Sequence, residues 1–399
     1  MINLELSQAH QEIYQGLMQV SEHMIRPYSR KYDREEHTYP KEMEEVAKIL
    51  GDARGGGGKK KGRDESTAVV NGSNLSAVTG LEALCWGDAG LFLGMPGSGL
   101  GNAAISAVGT PEQVEKYGSS YAAMCITEPG TGSDSASIST TAVDGGDHWV
   151  LNGEKIYVTD GQRSDTLVVW ATLDKSMGKA AIKSFIVEKG TPGCEVTRLE
   201  HKMGIRASDT AAITFADCRI PKKNVLGSAE IATDAEGRKK AFGGVMQTFD
   251  NTRPPVAAMA IGVARAALDL TESLLEAEDV TLNFDRKPGN LSALQAELYR
   301  MEADWLAAKL LVQKAAWMAD NKQPNSMEAS MCKAKAGRMG NYVTLRCVEL
   351  CQGLGYSEEN LLEKFARDSK ILDIFEGTQQ IQQLIVARRI LGKSSSDLK

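Results

Sequence analysis

The stretch His148-Trp-Val-Leu-Asn-Gly-Glu-Lys-Ile-Tyr-Val-Thr159 is rich in β-branched and aromatic residues on both sides of Asn152-Gly153. An Asn-Gly dipeptide between two such runs is typical of a β-hairpin with a two-residue turn. Strand-forming residues continue at Thr166–Leu173 and Ile182–Glu188. We therefore predict a hairpin at Asn152-Gly153 within a compact, β-barrel-like domain that spans residues 119–226.

Helical periodicity lies on both sides of this β region. Apolar residues three and four positions apart predict an N-terminal helical domain over residues 1–118. A C-terminal four-helix bundle is predicted over residues 227–393, followed by a disordered tail at 394–399. Its helices are expected at Val256–Leu275 (begun by Pro254-Pro255), Ala293–Asp320 (capped by Ser292), Glu328–Cys351 and Thr378–Leu391. The predicted fold class is α+β, in the order helical domain, β domain, helical bundle.

The composition of the 399 residues excludes several function classes. A net charge of −6 argues against a protein whose main task is binding nucleic acid. The chain has no apolar run long enough to span a bilayer and no signal-peptide pattern at its start, so we expect a cytoplasmic location. Its seven cysteines and five histidines are scattered singly, and this pattern predicts no metal site.

Two glycine-rich segments have different interpretations. The segment Gly51–Glu65 lacks an apolar residue that could anchor it, and we favour a mobile, solvated loop over a phosphate-binding loop. The segment Thr127-Glu-Pro-Gly-Thr-Gly-Ser-Asp134 combines exposed backbone N–H groups with the hydroxyls of Thr127 and Ser133. Such a turn can bind a pyrophosphate and polar ring edges, but it is equally consistent with an ordinary turn of a β domain.

Five segments together resemble the acyl-CoA dehydrogenase family, and most closely its short- and medium-chain members. They are Thr127–Asp134, Asn152–Thr159, Met203–Thr210, Phe249–Arg253 and Arg367–Thr378. They occur in the family's order and spacing between residues 119 and 392, whereas the N-terminal helices fit less closely. The resemblance implies a helical–β–helical fold, bound FAD, an acyl-CoA substrate and electron-transferring flavoprotein as the electron acceptor.

The chemistry of this family explains the residue types. The α-proton of a thioester is weakly acidic, so a carboxylate must remove it while hydrogen bonds stabilise the enolate oxygen. Glu376, in Phe375-Glu-Gly-Thr378, occupies the position of that base in the short- and medium-chain members. Without the resemblance, an acid at this position would be interpreted as a solvated residue before a helix. Its apolar surroundings are expected to raise the pKa of the carboxyl.

The resemblance also implies contacts with the cofactor and the substrate. The hydroxyl of Thr159 would meet the N5 edge of the flavin, and Tyr157 would cover one of its faces. The full set of implied cofactor contacts is Thr127, Ser133, Tyr157, Thr159, Thr378 and Gln380. The implied substrate contacts are Ser133, Asp250, Arg253 and Gly377. Asp250 and Arg253 are equally consistent with a structural ion pair.

The sequence departs from the family at two segments that hold the ADP half of a neighbouring subunit's FAD. Where the family has Arg-x-x-Phe-Gly, Phe284 occupies the arginine position and Pro288 the glycine position. In the second segment Glu349 replaces a glutamine and Gln352 replaces a glycine. A carboxylate ~6 Å from a diphosphate charge costs roughly 3 kcal/mol at an effective dielectric constant near 20.

These departures predict one subunit of a heteromeric α2β2 enzyme, in which a sister chain supplies the missing groups. The alternative assembly is a homotetramer that binds FAD weakly or holds it through Arg286. Two alternative functions remain open as well. One is a non-catalytic or half-site partner subunit, and the other is an acyl-CoA oxidase on the same fold.

Overall fold

The computed structural model describes residues 6–55, 72–97, 99–231, 235–283, 285, 287–394 and 397, without the side chains of 52–55, 235–251 and 288. Most of the predicted loop Gly51–Glu65 lies outside these residues, as do Phe284, Arg286 and most of the predicted tail. The side chain of Asp250 also lies outside them. The predictions made for these positions therefore stay predictions.

The N-terminal region is helical, as predicted. Its helices are α1 (Gln8–Val20), α2 (Ser29–Arg34), α3 (Met43–Gly55), α4 (Ser73–Leu93), α5 (Leu100–Val108) and α6 (Pro111–Tyr117), with a π-helical turn at Ser21–Ile25 and a 3-10 turn at Arg26–Tyr28. Helix α4 is apolar around most of its circumference, which is typical of a helix that is buried on several sides. Its residues Leu75, Val78 and Cys85 belong to the core shared with the C-terminal helices.

The middle region is a seven-stranded sheet. Its strands are β1 (Ala122–Cys125), β2 (Thr141–Asp144), β3 (His148–Thr159), β4 (Thr166–Thr172), β5 (Ile182–Glu188), β6 (Cys194–Leu199) and β7 (Thr210–Pro221). The strand order is β1-β4-β2-β3-β7-β6, and β5 pairs with β4. The predicted strands at Thr166–Leu173 and Ile182–Glu188 are thus confirmed. A core that includes Trp149, Val169, Phe185 and Phe215 packs within this region.

The predicted hairpin at Asn152-Gly153 is wrong. Strand β3 continues through both residues, and its two halves pair with β7 rather than with each other. The register shifts between Leu151 and Gly153, which marks a bulge. Gly153 has φ +150°, and Thr140 occupies the space that a Cβ atom would need. Asn152-Gly153 therefore forms a bulge within a longer strand and not a turn, and Gly153 allows the backbone to approach Thr140 closely.

The C-terminal region is a helical bundle. It comprises α7 (Ala235–Ala277), α8 (Ala293–Asp320), α9 (Ser326–Tyr356), α10 (Leu362–Ser369) and α11 (Gln379–Leu391). Ser292 caps α8 as predicted, because its hydroxyl accepts the N–H of Gln295 while the Gln295 side chain accepts the N–H of Ser292. Ala260, Leu268 and Leu298 are fully buried in the shared core.

The prediction that Pro254-Pro255 begin a helix is wrong, because both prolines lie inside α7. Each proline removes an N–H donor from the helix interior. The residues that follow, from Val256 to Leu268, are almost all buried. Packing of this apolar run against α4 and α9 outweighs the unfavourable local preference. Among the described helices, none is both long and apolar enough to cross a membrane.

Candidate active site

Glu376 lies on a strained loop between the 3-10 turn Lys370–Asp373 and helix α11. Its φ is +55°, in the left-handed region that residues with a side chain rarely adopt, and Gly377 follows with φ +94°. The buried amide of Gln382 donates to the carbonyl oxygens of Glu376 at 3.1 Å and Gly377 at 3.2 Å. These hydrogen bonds hold the loop through its backbone carbonyl groups. The carboxyl group of Glu376 is therefore available for other contacts.

The carboxyl group of Glu376 faces helix α7. The hydroxyl of Thr252 donates to Glu376 Oε2 at 3.0 Å. Burial raises the pKa of Glu376, and the Thr252 hydrogen bond and the charges of Lys333 and Arg253 reduce this rise without cancelling it. The predicted direction of the pKa shift and its cause thus agree with the structure.

Lys333 is a second ionisable group beside this loop, and the sequence reasoning missed it. It lies fully buried on α9, and its ammonium donates to the carbonyl oxygen of Gly377 at 2.8 Å. Burial lowers the pKa of Lys333 to about 8, although the negative charges of Asp373 and Glu376 oppose this shift. A sequence signal exists, because Lys333 shares a helical stripe with the buried small residues Ala329 and Ala336.

Helix α7 contributes two residues to the surroundings of Glu376, Thr252 and Arg253. Arg253 is buried, and its Nη1 donates to Ser330 Oγ of α9 at 3.4 Å. Thr252 is the other residue that the sequence reasoning missed, and only its contact with Glu376 reveals it. The proposed Asp250–Arg253 pair is not tested, because the Asp250 side chain is not described.

A buried ion pair supports the Thr127–Asp134 segment. The carboxylate of Glu128 accepts the ammonium of Lys155 at 2.8 Å and the backbone N–H groups of Ser139 at 2.6 Å and Thr140 at 2.9 Å. Burial alone would raise the pKa of Glu128, but Lys155 and these hydrogen bonds outweigh it and lower the pKa to about 2. The Glu128–Lys155 pair therefore ties this turn to strand β3.

The backbone joins the same two segments, because the N–H of Ile156 donates to the carbonyl of Thr127 at 2.9 Å. Tyr157 follows with φ +56°, and it is 63% exposed between the buried Ile156 and Val158. Within the described ranges, the hydroxyls of Thr127, Ser133 and Thr159 have no hydrogen-bond partner. The segment therefore offers an exposed aromatic face and a set of free hydroxyl groups.

The two remaining residues predicted to contact the cofactor lie at the start of α11. The hydroxyl of Thr378 accepts the N–H of Ile381 at 3.4 Å and so caps the helix. Gln380 is exposed in the first turn. The contacts thus form two sets, one around Glu376 on α7, α9 and α11, and one around Thr127 and β3.

The chain resembles known proteins over nearly its whole length. Residues 123–218 match the acyl-CoA dehydrogenase middle domain, and residues 242–391 match the acyl-CoA dehydrogenase C-terminal domain. Subunit CarC of the caffeyl-CoA reductase–Etf complex from Acetobacterium woodii is 36% identical over 82% of this chain and 86% of that protein. Mitochondrial short-chain specific acyl-CoA dehydrogenase from Mus musculus is 32% identical over 98% of this chain and 92% of that protein.

The chain belongs to the acyl-CoA dehydrogenase family. The solved structure of butyryl-CoA dehydrogenase from Megasphaera elsdenii matches this fold with a TM-score of 0.83 at 30% identity, over 98% of this chain and 100% of that chain. The predicted family and fold are confirmed. Acyl-CoA dehydrogenases are FAD-dependent oxidoreductases, and this chain is one of them.

The β3 set fits the cofactor of an acyl-CoA dehydrogenase. A flavin ring has a flat apolar face and a polar edge, and the exposed ring of Tyr157 and the unpaired hydroxyls of Thr127 and Thr159 complement both. A Cβ atom at Gly130 would meet nothing within 4 Å, so the turn is open where a phosphate group could approach. These residues would hold FAD.

The second segment at which the sequence departs from the family has an unusual backbone conformation. Gln352 has φ +49° and ψ −123° within α9, a conformation that favours glycine. Glu349 pairs with Arg346 one turn earlier, and Arg346 also contacts Glu297 at 3.2 Å. Arg346 is therefore shared between Glu349 and Glu297, and the predicted repulsion between Glu349 and a neighbouring diphosphate stays a prediction.

Proposed function

We propose that this chain catalyses the FAD-dependent α,β-dehydrogenation of an acyl-CoA thioester to the trans-2-enoyl-CoA, with Glu376 as the base. The observation that carries the proposal is the placement of Glu376. Its carboxyl group is held on a strained, anchored loop, receives one hydrogen bond from Thr252 and has a raised pKa. A base with a pKa nearer the working pH is better matched to removal of a weakly acidic proton.

Glu376 and the residues around it are proposed to have separate roles in proton removal. The ionised carboxylate takes the proton from the α-carbon of the thioester. The backbone N–H of Glu376 has no acceptor among the described residues, so it is available to the thioester carbonyl oxygen, where it would stabilise the developing enolate. Lys333 and Gln382 donate to the carbonyl groups of Gly377 and Glu376 and so restrict the backbone that directly follows that N–H.

The remaining predicted residues are proposed to bind and orient the cofactor and the substrate. FAD, when bound, supplies the acceptor for the hydride that leaves the β-carbon. Thr127, Ser133 and Thr159 offer hydroxyl donors to the polar edges of the cofactor, and Tyr157 offers an aromatic face. Thr378 and Gln380 are proposed to contact the cofactor from the start of α11. Ser133, Asp250, Arg253 and Gly377 are proposed substrate contacts.

Electron-transferring flavoprotein is the proposed electron acceptor, and a relative supports it, because CarC is by its name a subunit of a complex with Etf. A cytoplasmic location is also proposed, and the seven free thiols support it because they indicate a reducing compartment. Oxidase activity is the competing assignment. Peroxide formed in step with turnover in air, without dependence on the flavoprotein acceptor, would replace the dehydrogenase assignment.

The proposed assembly is an α2β2 heteromer. Phe284 and Pro288 replace the first ADP-binding segment, and Gln352 carries a side chain where the backbone conformation favours glycine. Native mass measurement combined with FAD content tests this. A pure homotetramer that retains one FAD per chain would contradict the proposal.

The function is tested by exchange of the α-proton. The holoenzyme is incubated in D2O with a panel of saturated acyl-CoA thioesters, and deuterium at the α-carbon and the enoyl product are followed by mass spectrometry. Glu376→Gln should keep the flavin spectrum and lose both signals. Glu358→Gln, an exposed glutamate that pairs with Arg34 at 2.7 Å, is the matched control and should keep both. Unchanged exchange in Glu376→Gln would place the base elsewhere, for example in a partner chain.

A further inference from the structure

Two histidines and one glutamate that are far apart in the sequence meet at the surface. Glu36 and His37 follow helix α2, and His201 lies between strands β6 and β7. One carboxylate oxygen and one nitrogen of each imidazole lie within 4.8 Å of one another. The sequence pattern did not predict a metal site because more than 160 residues separate the two parts of the cluster.

The carboxylate of Glu36 is already oriented. Its Oε1 accepts the backbone N–H of Lys202 at 2.8 Å, and its Oε2 lies 2.9 Å from Nδ1 of His201. Two ligands of one tetrahedral zinc ion lie roughly 3.3 Å apart, as follows from metal–ligand bonds of about 2.0–2.1 Å. The separation of Glu36 and His201 is thus close to that of two ligands of one ion. The side chain of His201 is 85% exposed, so its ring has room to adjust.

His37 supplies the second, independent observation. Both of its ring nitrogens are buried, and neither has a hydrogen-bond partner in the part of the chain that the structure describes. Its backbone φ is +70°, a strained value for a residue with a side chain. The ring packs against that of His201 with centroids 4.9 Å apart. A buried polar group without a partner calls for an explanation, and a bound metal ion would supply one.

We propose that Glu36, His37 and His201 form a zinc-binding site in which water completes the coordination. Two imidazoles and one carboxylate are a ligand set that suits Zn²⁺, and three protein ligands leave one position open. The ammonium of Lys202, whose backbone N–H donates to Glu36, is engaged elsewhere because it donates to the carbonyl of Ser208 at 2.8 Å. The site does not depend on the proposed dehydrogenase activity.

Zinc at this site would join the helical region to the β region. The segment that carries His201 continues to Asp209, whose carboxylate accepts the backbone N–H groups of Gln162 and Arg163 at 3.0 Å each. Arg163 in turn donates to the carbonyl of Thr38, next to His37, at 3.2 Å. A bound ion would therefore add to the hydrogen bonds and to the apolar contacts, such as that of Ala207 with the N-terminal helices, that hold this junction together.

The test uses the chelator-treated holoenzyme with FAD bound. Zinc binding is measured by calorimetry, and Co²⁺ is added separately as a spectroscopic probe of the ligands. One equivalent of zinc should bind and raise the melting temperature, and Co²⁺ should give absorption bands of a nitrogen–oxygen site. His37→Gln, His201→Gln and Glu36→Gln should each weaken zinc binding at least tenfold. His148→Gln is the matched control, because this half-buried histidine pairs with Asp147 outside the cluster.

Three results would overturn the site. They are the absence of binding in the unaltered protein, unchanged affinity in His201→Gln, and a sulfur-to-cobalt charge-transfer band, which would assign the metal to cysteines. Since His201 is exposed, its substitution is expected to leave the fold intact even if His37→Gln does not fold. The His201 variant therefore decides the question by itself.

Discussion

Glu128 is buried and Glu376 is half-buried, and the fold treats these two glutamates in opposite ways. The ammonium of Lys155 and two backbone N–H groups converge on the carboxylate of Glu128. Within the part of the chain that the structure describes, the carboxyl of Glu376 accepts a hydrogen bond from the hydroxyl of Thr252. Burial favours the protonated form of both, yet the pKa of Glu128 falls to about 2 whereas that of Glu376 is raised.

The difference shows how the surroundings assign a role to the same side chain. A carboxylate that is saturated with donors and paired with a cation stays ionised and holds structure together. A carboxyl with burial and few donors has a raised pKa, which makes its ionised form a stronger base. The nearby ammonium of Lys333 illustrates the same distinction, because it donates to the carbonyl of Gly377 rather than to the carboxyl of Glu376.

The largest effect is expected from breaking the saturated pair. Glu128→Gln leaves the ammonium of Lys155 buried without its counter-charge, and we expect the free energy of unfolding to fall by about 3–5 kcal/mol. Urea unfolding at a fixed, saturating FAD concentration measures it. Adding Lys155→Met should recover part of the loss, because the unpaired charge is then removed. A loss below about 1 kcal/mol, the usual size for an exposed ion pair, would contradict the buried role.

The two glutamates should also give opposite pH dependences of stability. The fold lowers the pKa of Glu128 from 4.5 to about 2, so the stability that it contributes is present above pH 4.5 and is lost as the pH falls towards 2. The fold raises the pKa of Glu376, so its contribution is present below 4.5 and is lost as the pH rises through the raised value.

Comparison of variants separates these two contributions. Glu376→Gln should gain stability relative to the unaltered protein as the pH rises from 4.5, whereas Glu128→Gln should recover its deficit as the pH falls below 4.5. Urea unfolding at several pH values measures both. Parallel stability curves for the three proteins would show that neither pKa is shifted as described.

Local sequence signals predicted much of the fold where they agree with the tertiary structure. The capping box of Ser292 and Gln295 needs only neighbours in the chain, and it forms as expected. Asn152-Gly153 and Pro254-Pro255 misled because pairing with β7 and packing of α7 outweigh the local preference. These stabilising contacts come from residues far away in the sequence.

The candidate active site could likewise be predicted only where its residues are neighbours in the sequence. Glu376 was found through a motif of adjacent residues, Phe375–Thr378, whereas Thr252 and Lys333 lie on other helices, 124 and 43 residues earlier. Each looks ordinary in its own segment. Only the packing of α7 and α9 against the Glu376 loop brings them to the carboxyl and to its backbone.

Lys333→Met sharpens the comparison by removing the ammonium beside Glu376. The loop then loses a hydrogen bond at Gly377, and we expect kcat to fall roughly 10- to 100-fold, as small displacements of reacting groups do. The ammonium lowers the pKa of Glu376, so its loss should also move the acidic limb of the pH–rate profile to higher pH.

The matched control is Lys335→Met, two residues further on α9, where the lysine pairs with Asp304 at 2.9 Å. It should leave kcat and the pH profile unchanged. Steady-state kinetics between pH 5 and 9 would distinguish the two variants. A fall in kcat with an unmoved acidic limb would show that Lys333 acts on the loop alone and not on the charge of Glu376.

Thr252→Val should give the smallest effect, since it removes one neutral hydroxyl from the carboxyl of Glu376. A hydrogen bond of this kind contributes about 0.5–1.5 kcal/mol, which corresponds to a rate loss of roughly 2- to 10-fold. Because this hydrogen bond lowers the pKa of Glu376, the acidic limb should again move to higher pH. Thr252→Ser keeps the hydroxyl and should behave as the unaltered enzyme. If the valine variant keeps full activity and an unmoved acidic limb, the hydroxyl of Thr252 does not act on the base, and the contrast between a sparsely bonded base and a saturated structural carboxylate loses one of its supports.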